Sequence, residues 1–348
     1  MVMSMKSLYQ LRYLRSDNLY PLYYLANRVI NKVLSLPSDI VCQLNSTNWF
    51  EQSVLLPRYQ NLLRQHQEHL PKLDANEQNI VDQLEQNGVC ITSLDALSIA
   101  DSHKLLEAAQ PITDELAQQS RLPSHAGKHT LMANADHLLA HSEIIRWGLS
   151  ERLIKIVESY LGLPVGYGAV SFYYSVADGR DVGPRIWHRD KEDWKMVKIA
   201  VYLNDVDEFG GPFQCVKSDV NKFLIENLPQ YKGFTNLELE QLLKTNNPAD
   251  CLTSCVGKTG TVIFTDTSKY YHRGKPPSKS DRSAIFFHYF SHRPKNPFYC
   301  DRSPLSSQQI IDFDKQLPHH LQGYLTWRAQ YPIIGRYIPK NQMRVDNW

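Results

Sequence analysis

Residues 187–190 read Trp-His-Arg-Asp. In an extended segment the side chains of residues i and i+2 leave the same face. His188 and Asp190 then offer an imidazole and a carboxylate to one point, while Arg189 projects the other way. Such a pair is two thirds of the facial set of two histidines and one carboxylate that holds a divalent metal with coordination positions left open. On its own, His-x-Asp also reads as a hydrogen-bonded surface pair, and many chains contain one by accident.

The candidate third ligand is His272, in Phe-Thr-Asp-Thr-Ser-Lys-Tyr-Tyr-His-Arg-Gly, which follows the apolar run Gly260–Phe264. Ten residues later Arg282 opens Arg-Ser-Ala-Ile-Phe-Phe-His-Tyr-Phe. A guanidinium at the head of an inward-facing apolar strand is costly to bury without a partner. A bound dicarboxylate supplies one, because the planar fork matches a carboxylate bidentately. Alone, His272 reads as a satisfied core histidine and Arg282 as a surface salt bridge. In order with His-x-Asp and the turn Phe209-Gly210-Gly211-Pro212, they become a specific set.

Positioning these groups requires a sheet. From about Gly166 the chain turns to short β-branched and aromatic runs: residues 168–176, 197–206, 260–267 and 283–290. Turn residues separate them, as in an antiparallel sandwich or barrel. The part before this reads as helices. Asp74-Ala-Asn-Glu77 is a capping box, Ile80, Val81 and Leu84 follow helical spacing, and Gly88 supplies the stop. A strand-like Val89–Ile91 follows, then a helix near Ser102–Ala109 and an amphipathic helix over Ser142–Leu161, ended by Gly162 and Pro164. A leucine-spaced helical insert lies in 219–250. Loops are expected at 112–141, 175–187 and 219–255.

The expected fold is α+β, an all-β core with a helical buttress and a C-terminal cap. Residues 1–73 form an N-terminal helical extension, 74–300 the core domain with its helical layer, and 301–348 the cap.

The 348 residues carry a formal net charge of +2, which makes no case for nucleic acid or an anionic membrane. The apolar stretch Leu19–Leu36 is interrupted by Asn27, Arg28, Asn31 and Lys32, so no membrane span is expected. The six cysteines form no CxxC pair, and the first ten residues lack an apolar leader. A cytoplasmic protein with reduced thiols follows, and with it an Asn45-Ser-Thr sequon that is never glycosylated.

The motifs Trp-His-Arg-Asp, Ala-Val-Tyr-Leu-Asn-Asp-Val-Asp-Glu-Phe-Gly-Gly-Pro-Phe-Gln, and Gly-Thr-Val-Ile-Phe-Thr-Asp-Thr-Ser-Lys-Tyr-Tyr-His-Arg-Gly with Arg282 resemble one known group. It is the phytanoyl-CoA dioxygenase-like family of the Fe(II)/2-oxoglutarate-dependent oxygenases. The resemblance spans residues 75–292. The chain departs from it at Lys217-Ser218-Asp219, where the family often shows Gly-Ser-His, and at Ile199-Ala200, where an aromatic often lines the co-substrate pocket.

The resemblance implies a double-stranded β-helix (a jelly roll). It implies Fe(II) held by His188, Asp190 and His272, with 2-oxoglutarate and O2 as co-substrates. Arg282 would take the distal carboxylate of 2-oxoglutarate. Tyr173 and Tyr174 are co-substrate candidates, of which strand alternation sends one inward. The implied reaction hydroxylates a C–H bond of a small organic or lipid-like substrate, with 2-oxoglutarate decarboxylated to succinate and CO2. A carboxylate at Asp190, in place of a small residue, favours hydroxylation over halogenation.

Other clusters carry less. His137 and His141 share a helix face without a third ligand. His319 and His320 read as loop, and His288 as an inward group of the barrel. Arg180, Arg185, Arg189, Lys195 and Lys198 read either as a field steering an anionic substrate or as a solvated rim diluted by Asp181, Glu192 and Asp193. Tyr324, Trp327, Tyr331 and Tyr337 read as packing or as a substrate lid. Two other classes compete: a non-catalytic jelly roll binding a ligand or structural metal, and a cupin-type iron enzyme that ignores 2-oxoglutarate. The partner expected is a small molecule, with monomer and homodimer both open.

Overall fold

The β-branched and aromatic runs form two antiparallel sheets in the computed structural model, which describes residue 36 and residues 39–244 and 248–331. The larger sheet uses β1 (Val89–Ser93), β2 (Thr130–Met132), β3 (Val165–Ser175), β4 (Met196–Tyr202), β7 (Thr261–Thr265) and β9 (Arg282–Ser291), in the order β1-β7-β4-β9-β3-β2. The smaller uses β5 (Phe213–Val216), β6 (Leu252–Cys255) and β8 (His272–Gly274), in the order β6-β5-β8.

Period-two alternation gives the larger sheet two different faces. Val170, Phe172 and Tyr174 of β3, Val197, Ile199 and Val201 of β4, and Ile285, Phe287 and Tyr289 of β9 share one core with the helices. Residues of opposite parity look the other way. Ala200, Tyr202, Ile263 and Ala284 share a second core with Phe213, Cys215 and Cys255 of the smaller sheet. The same parity sends Ser171, Tyr173, Lys198, Phe286 and His288 to that second side.

The helical layer comprises α1 (Leu56–His66), α2 (Ala75–Asn87), α3 (Ser102–Ser120) and α4 (Glu151–Leu161). Asp74 and Glu77 make the expected capping box, and Gly88 ends α2 at φ 70°. In α4, Leu153, Ile156 and Val157 are completely buried. Each contributes on the order of 1.5–3 kcal/mol through burial.

Two helix expectations change. α3 continues past Ala109 to Ser120, through Pro111. The stretch from Ser142 to Leu161 is two helices, Glu143–Trp147 and α4, parted at Gly148. A Cβ at Gly148 would lie 2.2 Å from Tyr167 Oη, and the Gly148 carbonyl accepts from Tyr289 Oη at 2.7 Å. The sheet comes too close for an uninterrupted helix. The expected loop 112–141 is likewise partly helical, through the end of α3 and Ala135–Ala140.

The insert folds as α5 (Ser218–Asn227) and α6 (Asn236–Leu243). Trp187, fully buried, packs with Phe234, Leu224, Leu239 and Tyr271 and so fastens the insert to the edge of the site.

Ahead of α1, Asn45 Nδ2 donates to the Lys295 carbonyl at 2.8 Å and to Asn296 at 2.9 Å, so the sequon's amide is buried and engaged. Near the C-terminus, Trp327 packs edge-on against Phe290 at 4.9 Å. Most of Leu19–Leu36, and Tyr337, lie outside the described residues. No described helix is long and apolar enough to cross a membrane.

Candidate metal centre and its cavity

His188 and His272 face each other across a single antiparallel bridge. The His188 amide donates to the His272 carbonyl at 3.1 Å, and the reverse bond is 3.0 Å. Directly opposed residues of such a pair project to one side, and their ring centroids lie 4.3 Å apart. Asp190 is placed by its own amide, which donates to the Thr267 carbonyl at 2.8 Å. One ligating atom from each of the three residues lies within 4.8 Å of the other two. No second group of this kind occurs among the described residues.

The imidazole tautomers follow from the backbone. His188 Nδ1 is 2.9 Å from the Ile186 carbonyl, and His272 Nδ1 is 3.1 Å from the Tyr270 carbonyl. A carbonyl only accepts, so each Nδ1 carries the hydrogen and each Nε2 keeps a lone pair. Burial lowers the pKa of His188 and holds that of His272 well below its ordinary value. Both rings are therefore neutral at pH 7, the form a metal requires. Burial alone would raise the Asp190 pKa, but Lys198 and Arg302 hold it well below the usual carboxylate range. Two neutral nitrogen donors and an ionised carboxylate fit a divalent metal.

The three side chains stand in the wall of a cavity of about 500 Å³, which also exposes Arg282, Tyr173, Phe286 and His288. Arg282 is buried, and burial lowers its pKa. Its guanidinium donates to the Gly211 carbonyl, and no carboxylate among the described residues forms an ion pair with it. Gly274 leaves room for it, since a Cβ there would lie 2.8 Å from Arg282 Nη2. Tyr173 faces the cavity from β3. Tyr174 does not; its hydroxyl donates to Asp281 at 2.7 Å on the helical side. Sheet parity thus removes Tyr174 from the co-substrate candidates.

The basic crowd resolves into separate roles. Lys198, on the site side of β4, is buried and its ammonium contacts Asp190 Oδ2. Arg302 reaches Asp190 Oδ1 at 3.1 Å and pairs with the buried Glu192. Arg185 is buried and clamps the 176–187 loop, donating to Asp178 at 2.5 Å and to the His129 carbonyl at 2.6 Å. Lys195 lies outside the cavity wall and pairs with Glu85. Arg189 does not turn away from the site as strict alternation requires; it also lines the cavity, because Asp190 lies beyond the bridge and outside any strand. His137 accepts from the Asn134 amide at 3.1 Å and sits 3.2 Å from Glu115, while His141 lies just past its helix.

Sequence reasoning gave Arg302 no role at the site and Glu192 only that of diluting the basic rim. A signal existed for Lys198, a lone cation inside the apolar run Val-Lys-Ile-Ala-Val. For Arg302 there was none, since it arrives from a loop after β9.

No family model matches the chain, and no curated protein sequence does. Among solved structures it is similar to HygX from Streptomyces hygroscopicus with nickel and 2-oxoglutarate bound, at 14% identity over 64% of this chain and 88% of that one, TM-score 0.41. It is similar to EctD from S. alaskensis with 2-oxoglutarate and 5-hydroxyectoine, at 15% identity over 64% and 79%, TM-score 0.42. A third is AviO1 from Streptomyces viridochromogenes Tue57, at 12% identity over 64% and 98%, TM-score 0.42.

Proposed function

We propose that the protein is an Fe(II)- and 2-oxoglutarate-dependent oxygenase of the phytanoyl-CoA dioxygenase-like type that hydroxylates a small organic substrate. One observation carries the reading. Two imidazole lone pairs and an ionised carboxylate converge in the wall of a cavity that also holds a buried arginine without an acidic partner. His188, Asp190 and His272 would hold the metal, and Arg282 the distal carboxylate of 2-oxoglutarate. Bound there, iron with 2-oxoglutarate and O2 supplies the oxidising power for C–H hydroxylation, with succinate and CO2 as co-products.

The chain's own contribution is position. The Ile186 and Tyr270 carbonyls fix both imidazole tautomers. Arg282, held by the Gly211 carbonyl and given room by Gly274, would orient the co-substrate. Tyr173 and Phe286, edge to face at 5.6 Å, form an apolar wall beside it. In this reading the two sheets form a double-stranded β-helix over residues 74–300, with 1–73 and 301–348 packed as extension and cap. A cupin-type enzyme without 2-oxoglutarate leaves Arg282 with nothing to neutralise it.

Anaerobic titration of the Fe(II)-loaded protein with 2-oxoglutarate, followed by succinate assay in air, tests the reading. Wild type should bind 2-oxoglutarate and release succinate. Arg282→Gln should keep iron and lose 2-oxoglutarate affinity by tenfold or more, about the worth of a charge-assisted pair. Asp190→Ala and His272→Ala should lose the metal. An iron-loaded wild type that ignores 2-oxoglutarate sinks the proposal.

A second reading has its own observation. Lys198 and Arg302 already pair with Asp190 and Glu192, two cations with two carboxylates, so the cluster is charge-balanced without metal. A non-catalytic ligand-binding protein follows from that, and metal analysis of the purified protein separates the two.

A further inference from the structure

Two cations in the cavity wall are left without a task by this reading. We propose that Arg189 and Lys191 recognise an anionic group, a carboxylate or a phosphate, on the substrate to be oxidised. The inference rests on the oxygenase reading of the same cavity and adds the class of its substrate.

Both residues line the cavity and both are half-buried. The acids near them are already engaged. Glu192 pairs with Arg302, Asp190 with Lys198 and Arg302, and Glu51 with Lys295 at 3.0 Å. No carboxylate among the described residues forms an ion pair with Arg189 or Lys191. Arg189 Nε is buried and has no hydrogen-bond acceptor. A buried donor without a partner is costly, and a ligand oxygen removes that cost.

Aromatic rings hold the two cations in place. The Arg189 guanidinium lies 5.7 Å from the Tyr231 ring centre and 5.3 Å from that of Tyr271. Lys191 Nζ lies 5.7 Å from Tyr231 and 5.8 Å from Tyr299. Tyr231 therefore stands between both charges. Its backbone is left-handed, with φ 59°, a conformation that costs a non-glycine residue roughly 1–2 kcal/mol. Cation–π contact orients a charge but neutralises none of it. The arrangement is a preorganised pair of cations without a counter-ion.

Burial separates this pair from Arg282. Arg282 is closed off in the wall, which suits a co-substrate bound in every turnover. Arg189 and Lys191 remain partly open, which suits a substrate that enters last. Each is also a chain neighbour of Asp190, and Arg189 of His188 as well. The anion is thus held within a side chain's length of the metal ligands. The carbon presented for oxidation then lies near the charged end of the substrate.

The test uses the full-length protein loaded with Mn(II) and 2-oxoglutarate, so that Arg282 is occupied. Inorganic phosphate and, separately, acetate are titrated in by calorimetry. Saturable binding of at least one anion is expected, weakened about tenfold or more in Lys191→Gln and in Arg189→Gln, with 2-oxoglutarate affinity unchanged. Which anion binds identifies the class of headgroup. Lys191→Gln leaves the Arg189 ring contacts intact, so it stays informative if Arg189→Gln fails to fold. Equal anion binding in wild type and the folded variants overturns the proposal, as does no binding in wild type. So does a loss of 2-oxoglutarate affinity that tracks the loss of anion binding, which would place the site in the co-substrate pocket. A wild type that binds phosphate or acetate without Mn(II) and never binds 2-oxoglutarate removes the oxygenase reading and leaves the anion site standing.

Discussion

Asp190 is the residue on which the site's charges converge. Lys198 contacts its Oδ2, the oxygen that lies 3.7 Å from His272 Nε2, and Arg302 holds its Oδ1. A metal between the imidazoles must compete with Lys198 for that oxygen. Lys198→Met removes the competitor and leaves Asp190 with one cation instead of two. Metal-free protein should lose stability by about 3 kcal/mol, the order found when a buried pair loses one member. Metal should bind about tenfold more tightly, because a like charge has left the site. Thermal melts with and without Mn(II) read both effects, and weaker metal binding in the variant would contradict this account. Gly274 acts on the other cation. In Gly274→Ala the new methyl meets the far end of the Arg282 side chain, which can move. The melting temperature should stay close to wild type while 2-oxoglutarate affinity falls several-fold in the titration above; a large loss of stability instead would show that the backbone, not Arg282, takes up the methyl.

Elements place these residues through turns as much as through strands. The turn after β7 delivers His272, and Asp266 organises it. Its Oδ1 accepts from the Ser268 amide at 3.0 Å, the Ser268 hydroxyl at 2.9 Å and the Lys269 amide at 3.0 Å. Its Oδ2 accepts from Tyr160 of α4 at 2.6 Å, which ties the helical layer to the turn that carries His272. Tyr160→Phe should cost about 1.5 kcal/mol, the worth of one hydrogen bond to a charged group. Asp266→Ala strands several buried donors at once and should cost more. Urea unfolding measures both, and an Asp266→Ala as stable as Tyr160→Phe would remove Asp266 as organiser. On the opposite side, Trp187 turns the residue before the metal pair into the anchor of α5 and α6. That insert carries Tyr231, so the anchor also sets the cavity mouth.

Across the whole molecule, burial sets the response to pH. His129, His188, His272, His288 and His292 all have pKa values lowered, chiefly by desolvation. The folded state keeps them neutral, whereas the unfolded chain protonates them near 6.5. Between those limits the unfolded state binds more protons, so stability rises with pH and is lost as pH falls through 6.5. Three buried carboxylates work in the opposite direction: Asp193, raised to about 6, and Glu192 and Asp266, also raised by burial. Five imidazoles stand against three carboxylates, and an unfolded imidazole with a pKa near 6.5 takes up about half a proton between pH 7 and pH 6, so the expected sign is a loss of stability as pH falls. Metal-free protein should unfold at lower urea concentration at pH 6 than at pH 7, with a slope of up to about 1.4 kcal/mol per pH unit for each proton taken up. An increase in stability over this range would mean that the raised carboxylates outweigh the imidazoles.

The sequence alone determined the candidate donor residues, their order and the kinds of element expected to carry them. Metal donors are a short list of residue types, so His188, Asp190 and His272 stood out as candidates together with Arg282; Asp190 joins the histidines through its amide bond to the Thr267 carbonyl, not through strand alternation. Helix limits were legible where caps marked them, as at Asp74 and Gly88, and not where a distant strand intruded, as at Gly148. Tertiary structure decided what depends on pairing between remote segments. The choice between Tyr173 and Tyr174 needed the sheet's two faces. The His188–His272 bridge needed segments 84 residues apart to meet in register. Arg302 reaches Asp190 across 112 residues, and no local period encodes such a contact. Arg189 shows the limit most plainly, because alternation holds only while the chain is a strand, and at Asp190 it no longer is.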